Sequence, residues 1–369
     1  MKMRFVFIST LLSVATLLLA CKKETAPMNT PNILVNSSVI SVAEDSPSPV
    51  ATIQVALSTT YNKVVTLDYS TSDSTATAGA DYTAIPSGTL TFQPGDKVKY
   101  ITVNILRDTA NKHDCYFRVL LKNAVNAEFE NSFVPVRILN VDYATLVWSD
   151  EFTDPTLNTS YWNYELGNNG GWGNNELENY TNSPNNVHLD TGYLHITAHG
   201  DYTSGRITTE GKKEFTYGKV EIRAKLPEGQ GLWPALWMLG SNITTVGWPA
   251  CGEIDMMELL GQDPRKVYGT VHYNMNGHQS SGSSTSLLTG SFSDSFHLFT
   301  FIWTPNHFSW LIDNQSYYEL NRSQVSNFPF DLPEFFIFNV AIGGNWPGPP
   351  DNTTVFPQNM TVDYIRLYQ

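Results

Sequence analysis

The sequence predicts an all-β protein built from two sandwich modules. Charged residues make up only 15% of the chain, well below the roughly 25% of an average globular domain, which disfavours long charged helices and coiled coils. The 25 glycines, 20 prolines, 18 tyrosines and 19 phenylalanines favour turns and strands. Short runs of alternating apolar and polar residues recur without a convincing helical period. With 369 residues, the chain has room for two domains of about 150 residues each.

The charge balance excludes one class of partner. The chain carries 35 acidic and 22 basic residues, for a formal net charge of −13. This field would repel a polyphosphate rather than steer it toward the protein. We therefore expect no nucleic-acid ligand.

Residues 1–20 have the composition of a secretory signal. Lys2 and Arg4 precede an unbroken run of apolar or small residues that is too short to span a bilayer comfortably. The run ends in Leu18-Leu19-Ala20-Cys21, which resembles a bacterial lipobox. The resemblance implies cleavage and lipidation at Cys21, and hence a surface-exposed protein of the bacterial cell envelope that contacts the membrane only through its lipid anchor. The alternative is a buried core helix or an uncleaved anchor.

A spacer rich in Thr, Pro and Asn follows at residues 21–32, as expected of a linker. Only two further cysteines occur, Cys115 and Cys251. They fall in different predicted domains, so we expect no disulfide framework, although the compartment would permit one. Both are predicted to be buried free thiols.

Residues 33–143 are predicted to form the first sandwich. Turn residues separate its short alternating runs, which include residues 50–56, 64–69, 89–92, 99–105 and 116–121. About seven short strands at this spacing favour an antiparallel sandwich.

Part of this module resembles the Calx-beta domain, on the run from Thr75 to Ala84 followed by Gly88-Thr-Leu-Thr-Phe92 and Pro94-Gly95-Asp96. The resemblance implies an immunoglobulin-like sandwich in which acids at one end can bind calcium through hard oxygen ligands. The acids at plausible positions are Glu44, Asp81, Asp108 and Asp142. The acidic run expected after Asp108 is missing from the sequence, so solvated loop acids on a spacer or protein-contact domain are the preferred interpretation.

Residues 144–369 are predicted to form a second module whose surface has a different function. All nine tryptophans lie at Trp148 or beyond, after a short linker around residues 141–145. The clearest strand patterns lie at residues 192–198, 219–225, 298–303, 308–313 and 361–368. Many alternate apolar with polar residues, which favours a two-sheet sandwich with an exposed aromatic face.

One apolar segment of the second module carries three carboxylates within six residues, at Glu253, Asp255 and Glu258. In a regular strand Glu253 and Asp255 share a face, whereas Glu258 points to the opposite one. A β-bulge at Met256-Met257 would bring Glu258 round to the same side. Two glutamates flanking one bond, with carboxyl groups about 5 to 5.5 Å apart, are what retaining glycoside hydrolysis requires. The aspartate between them would hydrogen-bond the nucleophile and separate the two glutamate pKa values.

The carboxylates alone also fit a solvent-facing acidic strand, or a cation site made of Glu253, Asp255 and Glu258. The surrounding tryptophans favour sugar chemistry, because aromatic rings pack on the C–H faces of sugars while amides and guanidinium groups bind hydroxyls. They are scattered along the module at Trp172, Trp233, Trp237, Trp248, Trp303 and Trp346. We expect at least three of the nine tryptophans to be core residues.

The segment Trp248-Pro-Ala-Cys-Gly-Glu-Ile-Asp-Met-Met-Glu258 resembles the signature of glycosyl hydrolases family 16. The likeness to the laminarinase branch runs from about residue 146 to residue 369, and includes Gly171-Trp-Gly-Asn-Asn-Glu176 and Tyr268-Gly-Thr-Val-His272. It implies a concanavalin-like β-jelly roll. By the same resemblance, Glu253 is the nucleophile, Asp255 the assisting acid and Glu258 the general acid/base.

The resemblance also implies which positions bind sugar and metal. The sugar-contacting positions are Asn174, Arg206, Trp233, Trp237, Trp248, His272 and Trp346. The family often carries a structural calcium ion on its convex side, for which the positions to test are Glu151, Gly192 and Asp363. No cofactor is expected for catalysis.

Together, these expectations describe a monomeric, retaining endo-hydrolase of β-1,3-glucan such as laminarin, with mixed β-1,3/1,4-glucan as a second candidate substrate. One alternative is a hydrolase of an algal galactan, of the agarase or carrageenase type. The net charge of −13 disfavours sulfated substrates. The other alternative, a non-catalytic glucan-binding lipoprotein, has no need of two closely spaced glutamates.

Overall fold

A computed structural model describes residues 30–35, 39–44, 49–107, 114–139, 143 and 145–369. The signal segment, Cys21 and most of the 21–32 spacer lie outside the described residues, as do Asp108 and Asp142. Within the described ranges, the helical elements are a single turn, α1 (Ile243–Val246), and a 3₁₀ turn (Arg322–Gln324). None of the described helices combines the length and apolar character of a membrane span. The all-β prediction is confirmed.

The described part of the first module is a sandwich of nine strands. They are β1 (Asn32–Val35), β2 (Ile40–Ala43), β3 (Val50–Leu57), β4 (Val65–Asp73), β5 (Gly88–Phe92), β6 (Val98–Asn104), β7 (Cys115–Val125), β8 (Glu128–Phe129) and β9 (Phe133–Leu139). One sheet has the order β6-β3-β1-β8 and the other β2-β9-β7-β4-β5. Most pairs are antiparallel as predicted, but β2 pairs with β9 and β1 with β8 in parallel.

The second module contains the remaining strands. They are β10 (Leu146–Asp150), β11 (Asn163–Tyr164), β12 (Asn179–Tyr180), β13 (Val187–Asp190), β14 (Tyr193–Ala198), β15 (Thr203–Ser204), β16 (Arg206–Thr208), β17 (Glu214–Phe215), β18 (Gly218–Lys225), β19 (Leu232–Gly240), β20 (Glu253–Leu259), β21 (Lys266–Asn274), β22 (His278–Ser286), β23 (His297–Trp303), β24 (His307–Ile312), β25 (Gln315–Asn321), β26 (Glu334–Ile342) and β27 (Gln358–Tyr368).

These strands build two large sheets that face each other. The front sheet has the order β11-β16-β26-β19-β20-β21-β22, with β17 beside β26. The back sheet has the order β13-β14-β27-β18-β23-β24-β25, with β10 beside β27. Inward residues of both sheets, such as Ile222 of β18 and Met238 of β19, belong to one buried cluster. Each fully buried aliphatic side chain contributes about 1.5–3 kcal/mol, so this shared core holds the sheets together.

Four of the nine tryptophans belong to the core, namely Trp148, Trp162, Trp303 and Trp310. The expectation of at least three core tryptophans is therefore confirmed. Trp303 is fully buried and packs edge-on against Phe215, so its placement among the site aromatics was wrong.

Neither described cysteine forms a disulfide, as expected. Cys251 is buried, whereas Cys115, the first residue of β7, is only half-buried. The prediction of two buried thiols is therefore correct for Cys251 alone.

The first module packs against strands β23 to β25 of the back sheet. Ala43 and Leu139 form a small buried cluster with Ile302 and Leu311 across the junction. The Tyr143 hydroxyl donates to a backbone carbonyl of β23 at 3.0 Å. Arg137 of β9 bonds both Asp114 of its own module and Glu319 of β25. Apolar packing and charge-assisted bonds thus join the modules at strands β23 to β25.

Glu334, the first residue of β26, is an unusual core residue. It is only 1% exposed, and neither carboxyl oxygen has a hydrogen-bond partner among the described residues. Burial, followed by the nearby charges of Glu253 and Asp255, raises the pKa of Glu334 well above its usual value. We conclude that Glu334 is held in its neutral form at neutral pH.

We predict that Glu334→Gln stabilises the protein increasingly as the pH rises from about 4.5 toward neutral. In this interval the unfolded chain releases the Glu334 proton and the folded protein retains it, which costs the wild type about 1.4 kcal/mol of unfolding free energy per pH unit. The glutamine cannot ionise and avoids this cost. Thermal unfolding of both proteins across this pH range measures the difference, with Glu214→Gln, an exposed site on neighbouring β17, as the matched control. A difference that stays constant with pH would contradict the neutral assignment.

Candidate active site

The three predicted carboxylates lie on β20, and the predicted bulge is present. Between Asp255 and Glu258, the two residues Met256 and Met257 face a single residue of β21, Gly269. Both methionine side chains are buried in the core. The extra residue turns Glu258 to the face of the strand that carries the other two carboxylates, so all three acids line one cleft of the front sheet.

Contacts from the back sheet hold the bulge in place. The Trp310 indole of β24 donates from Nε1 to the backbone carbonyl of Asp255 at 2.8 Å. Gly269 provides the space for this contact, because a Cβ atom there would lie 2.5 Å from Trp310 Cδ1 and 2.5 Å from the Tyr317 hydroxyl. The position of the carboxylates is therefore tied to the packing of the core.

The cleft has a volume of about 340 Å³. Aromatic, amide and charged side chains line it, among them Trp172, Asn174, Glu176, Arg206, Trp233, Trp237, Trp248 and Asn339. A second cavity of about 490 Å³ lies at the junction of the modules, but its described lining includes no tryptophan and no glutamate. The cleft over β20 is therefore the candidate site.

Two tryptophans hold the two glutamates. Trp248 donates from Nε1 to Glu253 Oε2 at 2.8 Å, and Trp233 donates from Nε1 to Glu258 Oε1 at 3.0 Å. An indole can only donate. Each glutamate is thus oriented by an aromatic ring that also forms part of the cleft wall.

His272 of β21 lies beside the other side of Glu253. Its Nε2 is 3.1 Å from Asp255 Oδ2 and 3.7 Å from Glu253 Oε1. The donor atoms of these three residues lie within 4.8 Å of one another, close enough to share a cation. This group differs from the predicted alternative, in which Glu258 was the third ligand. Since Glu253 is already bonded by Trp248, we assign the group to the reaction.

The pKa values distinguish the two glutamates. Burial and the charge of Asp255 raise the pKa of Glu253 to about 8, while His272 and the Trp248 hydrogen bond oppose this rise. Burial raises the pKa of Asp255 to about 8. Burial and the charges of Asp255 and Glu253 raise the pKa of Glu258 well above its usual range. Glu258 is therefore the group that keeps a proton, and Glu253 the one whose surroundings favour the carboxylate.

Arg206 of β16 lies between two aromatic walls of the cleft. Its guanidinium carbon is 4.5 Å from the ring centre of Trp172 and 5.0 Å from that of Trp237, and Glu165 accepts its Nε proton. Such stacking leaves the remaining guanidinium donors in a defined plane.

Five of the seven predicted sugar-contacting residues line the cleft directly: Asn174, Arg206, Trp233, Trp237 and Trp248. The other two lie beside it. His272 contacts the carboxylates, and Trp346 packs edge-on against Trp233 with ring centres 5.4 Å apart.

Asn339 was not predicted, although a signal was present. It is the amide in the otherwise apolar run of β26, where an unpaired polar group would be costly. It accepts from Trp237 Nε1 at 2.8 Å and donates to the Tyr180 hydroxyl at 3.0 Å. Asn339 therefore fixes the Trp237 ring in the cleft.

A buried pair of acids, Glu176 and Glu178, was also missed. Glu178 accepts from the backbone N–H of Ile342 at 2.7 Å, and Asn174 donates to Glu176 at 3.3 Å. Burial and the charge of Glu178 raise the pKa of Glu176 to about 8. The motif around Glu176 was recognised from the sequence, but nothing in it predicted that a second carboxyl would face it.

The carboxylates at the predicted calcium positions are already paired with arginines. Glu151 forms two hydrogen bonds with Arg366, at 2.9 and 2.8 Å, and Asp363 pairs with Arg223. Gly192 lies in the turn between β13 and β14. A calcium ion here would have to displace two arginines, so these residues do not fit the group as they stand.

Two of the first-module calcium candidates are described. Asp81 accepts from the backbone N–H of Thr77 at 2.7 Å, and Glu44 is buried. Since the other two candidates lie outside the described residues, calcium binding by this module stays a prediction.

We predict that Asp255→Asn lowers the pKa of Glu253 by about one unit, because it removes the negative charge that opposes Glu253 ionisation. Carboxyl ¹³C NMR titration of protein labelled at glutamate measures this shift, with Glu253→Gln to assign the signal. Asp96→Asn, which removes an acid of the first module, should leave the signal unchanged. An unchanged Glu253 midpoint in Asp255→Asn would show that burial alone sets its pKa.

Comparison with known proteins places these features in context. The model of glycosyl hydrolases family 16 matches residues 174–366, and the model of the Calx-beta domain matches residues 29–151. The latter match extends into β10, a strand that pairs with β27 of the second module.

Three relatives illustrate the similarity. Glucan endo-1,3-beta-glucosidase A1 of Niallia circulans is 40% identical over 61% of this chain, which spans only 38% of that protein. Beta-glucanase of Rhodothermus marinus is 39% identical over 61% of this chain and 85% of its own length. The catalytic domain of an endo-1,3-beta-glucanase (laminarinase) from Thermotoga petrophila RKU-1 superposes with a TM-score of 0.59, at 48% identity, covering 61% of this chain and 97% of that structure.

The family model covers more than half of the chain, and the match to the Rhodothermus marinus protein spans most of that relative. The predicted jelly-roll fold of the second module is confirmed by the Thermotoga structure. With its paired glutamates on the bulged strand, the chain belongs to glycosyl hydrolases family 16.

Proposed function

We propose that the second module is a retaining endo-hydrolase of β-1,3-glucan such as laminarin, with mixed β-1,3/1,4-glucan as a second substrate. The observation that carries the proposal is the bulge of β20, which sets Glu253 and Glu258 on one face of a tryptophan-lined cleft. Two glutamates in this arrangement suit the two steps of retaining hydrolysis. The relatives from Niallia circulans and Thermotoga petrophila, an endo-1,3-beta-glucosidase and an endo-1,3-beta-glucanase, support β-1,3-glucan as the substrate.

In the first step, Glu253 attacks the anomeric carbon while Glu258 gives its proton to the leaving glycosidic oxygen. The anomeric C–O bond breaks, and a covalent glycosyl-enzyme forms on Glu253. In the second step, Glu258, now ionised, takes a proton from water. The water oxygen attacks the anomeric carbon and frees the Glu253 carboxylate.

The surroundings of Glu253 support its role as nucleophile. The Trp248 N–H bond and the nearby His272 ring both favour its ionised form. Asp255 Oδ2 lies 3.1 Å from His272 Nε2. Burial of all three acids strengthens these interactions because little water screens them.

Sugar rings would pack on the indole faces of the cleft, and their hydroxyls would meet the Arg206 guanidinium and the Asn174 amide. Among the described residues lining the cleft, Arg206 is the single cationic side chain. A neutral glucan therefore suits this cleft better than a sulfated galactan would.

We predict that purified protein releases reducing sugar from laminarin and, at a lower rate, from lichenan, and that Glu253→Gln lowers this turnover by a factor on the order of 10³ or more, because the nucleophile is lost. Carboxymethyl cellulose and agarose complete the substrate panel. Glu214→Gln, exposed on β17, is the matched control and should keep full activity.

Three outcomes would contradict this proposal. Release from agarose alone would favour the galactan hydrolase. Laminarin binding without release would favour a glucan-binding lipoprotein. Undiminished turnover in Glu253→Gln would exclude Glu253 as the nucleophile.

We predict further that the first product of laminarin cleavage carries the β-configuration, because two displacements at the anomeric carbon restore the starting stereochemistry. Proton NMR during the first minutes of hydrolysis distinguishes the anomers before they interconvert in water. Initial appearance of the α-anomer would indicate a single displacement by water and would contradict the nucleophile assignment.

We also propose that the protein acts as a monomer on the bacterial cell surface, anchored by a lipid on Cys21. The lipobox-like sequence supports this location. The first module would then stand between the anchor and the hydrolase as a spacer. The described lining of the cleft includes no residue of that module.

A further inference from the structure

His278 is a residue to which the mechanism above gives no role. It is the first residue of β22 and lies opposite Asn274 of β21, across a short hairpin. The side chain is exposed at the edge of the front sheet. It lies six positions after His272, and the hairpin folds it back beside that ring.

The two histidines are in direct contact. His278 Nε2 lies 2.7 Å from His272 Nδ1, and the two rings stack with centres 5.0 Å apart. The His278 ring also packs on Trp248, with ring centres 4.6 Å apart. His278 therefore contacts both residues that reach Glu253 from opposite sides, His272 and Trp248.

The contact couples the tautomers of the two histidines, and either ring can be the donor. A neutral imidazole has one donor nitrogen and one acceptor nitrogen. If His278 donates from Nε2, then His272 Nδ1 is the acceptor and its proton must sit on Nε2. That nitrogen is the one beside Asp255 and Glu253, and the nearby His272 favours the ionised form of Glu253. If His272 instead becomes a cation, His278 Nε2 can accept from Nδ1, and Nε2 of His272 keeps its proton.

We propose that His278 is a positioning residue that holds the His272 ring with a proton on Nε2, the nitrogen that lies beside Asp255 and Glu253. The proposal rests on the proposed function in so far as Glu253 is the nucleophile. It resembles the way in which an outer hydrogen bond fixes the tautomer of a histidine that binds a metal. Because the other face of His278 meets solvent, the pair can also exchange protons with water without rotation of the His272 ring.

Other charged groups act on the same nucleophile. Asp255 lies on the same strand, Arg206 belongs to β16, and Glu334 belongs to β26. None of the described contacts of Asp255, Arg206 and Glu334 includes His278. The titratable neighbour that acts on His278 is His272. Removal of the His278 ring should therefore change the nucleophile through His272.

The test compares His278→Leu, which removes the hydrogen bond but keeps an apolar side chain beside Trp248, with His278→Gln, whose amide N–H stands at about the position of Nε2. In His278→Leu we expect kcat on laminarin to fall roughly tenfold at the pH optimum of the wild type, as for loss of one hydrogen bond. KM should stay within about twofold. The acidic limb of the pH–rate profile should move to higher pH because Glu253 ionises less readily, while the alkaline limb stays in place.

The conservative variant and a neighbour provide the controls. His278→Gln should restore kcat and the acidic limb to near the wild-type values. Met275→Ala, an exposed residue of the same hairpin, should behave like the wild type. An unshifted acidic limb in His278→Leu would overturn the proposal. So would a raised KM with unchanged kcat, which would instead make His278 a contact of the substrate.

A measurement that needs no activity separates this proposal from the proposed function. In ¹⁵N NMR of histidine-labelled protein at neutral pH, assigned with His272→Asn, we expect the His272 signals of an Nε2–H tautomer. In His278→Leu these signals should move toward a mixture of tautomers. A proton on Nδ1 of neutral His272 in the wild type would overturn the proposal. If the wild type releases no sugar from laminarin, the proposed function fails, and the spectrum still decides the tautomer.

Discussion

The hydrogen bond from the Trp310 indole to the carbonyl of Asp255 is the interaction on which the site depends. It comes from the back sheet and meets the front sheet where two methionines face one glycine. The pleat of a strand would otherwise send Glu258 into the core, where an isolated carboxylate is very costly. The bulge, the space at Gly269 and the indole bond together convert an alternating strand into a row of acids on one face.

Electrostatics then distinguishes acids that are alike in chemistry. All three sit where burial disfavours charge, so the few nearby groups decide which one ionises. An indole N–H and His272 favour the ionised form of both glutamates, but Glu258 has two acidic neighbours, Asp255 and Glu253, whereas Glu253 has Asp255 alone. The surrounding residues repeat this pattern, with Glu176 beside Glu178 and Glu334 without a partner among the described residues. The second module therefore keeps several protons that isolated carboxyls would release.

Sequence patterns predicted the structural features that depend on local periodicity. Alternation located the strands, and the parity of three acids in one apolar run required the bulge at Met256-Met257. Sequence patterns did not predict contacts between segments that are distant in the chain. Contacts between segments that are far apart in the chain produce the burial of Trp303, the arginine partners of Glu151 and Asp363, and the packing of His278 on Trp248. Composition contains no signal for such pairings, whereas the amide in β26 shows that an isolated polar residue in an apolar strand does provide one.

The junction between the modules has a mechanical consequence. A tether made of residues 140–145 alone would transmit force only along the chain. Here the first module also contacts strands β23 to β25 of the back sheet, through Tyr143, Arg137 and the small apolar cluster. A force on a polymer bound in the cleft would therefore be transmitted through the jelly roll to the first module. Several side chains at the junction would share that force. The two modules would turn together under such a load, so the direction in which the cleft faces would be set at the junction.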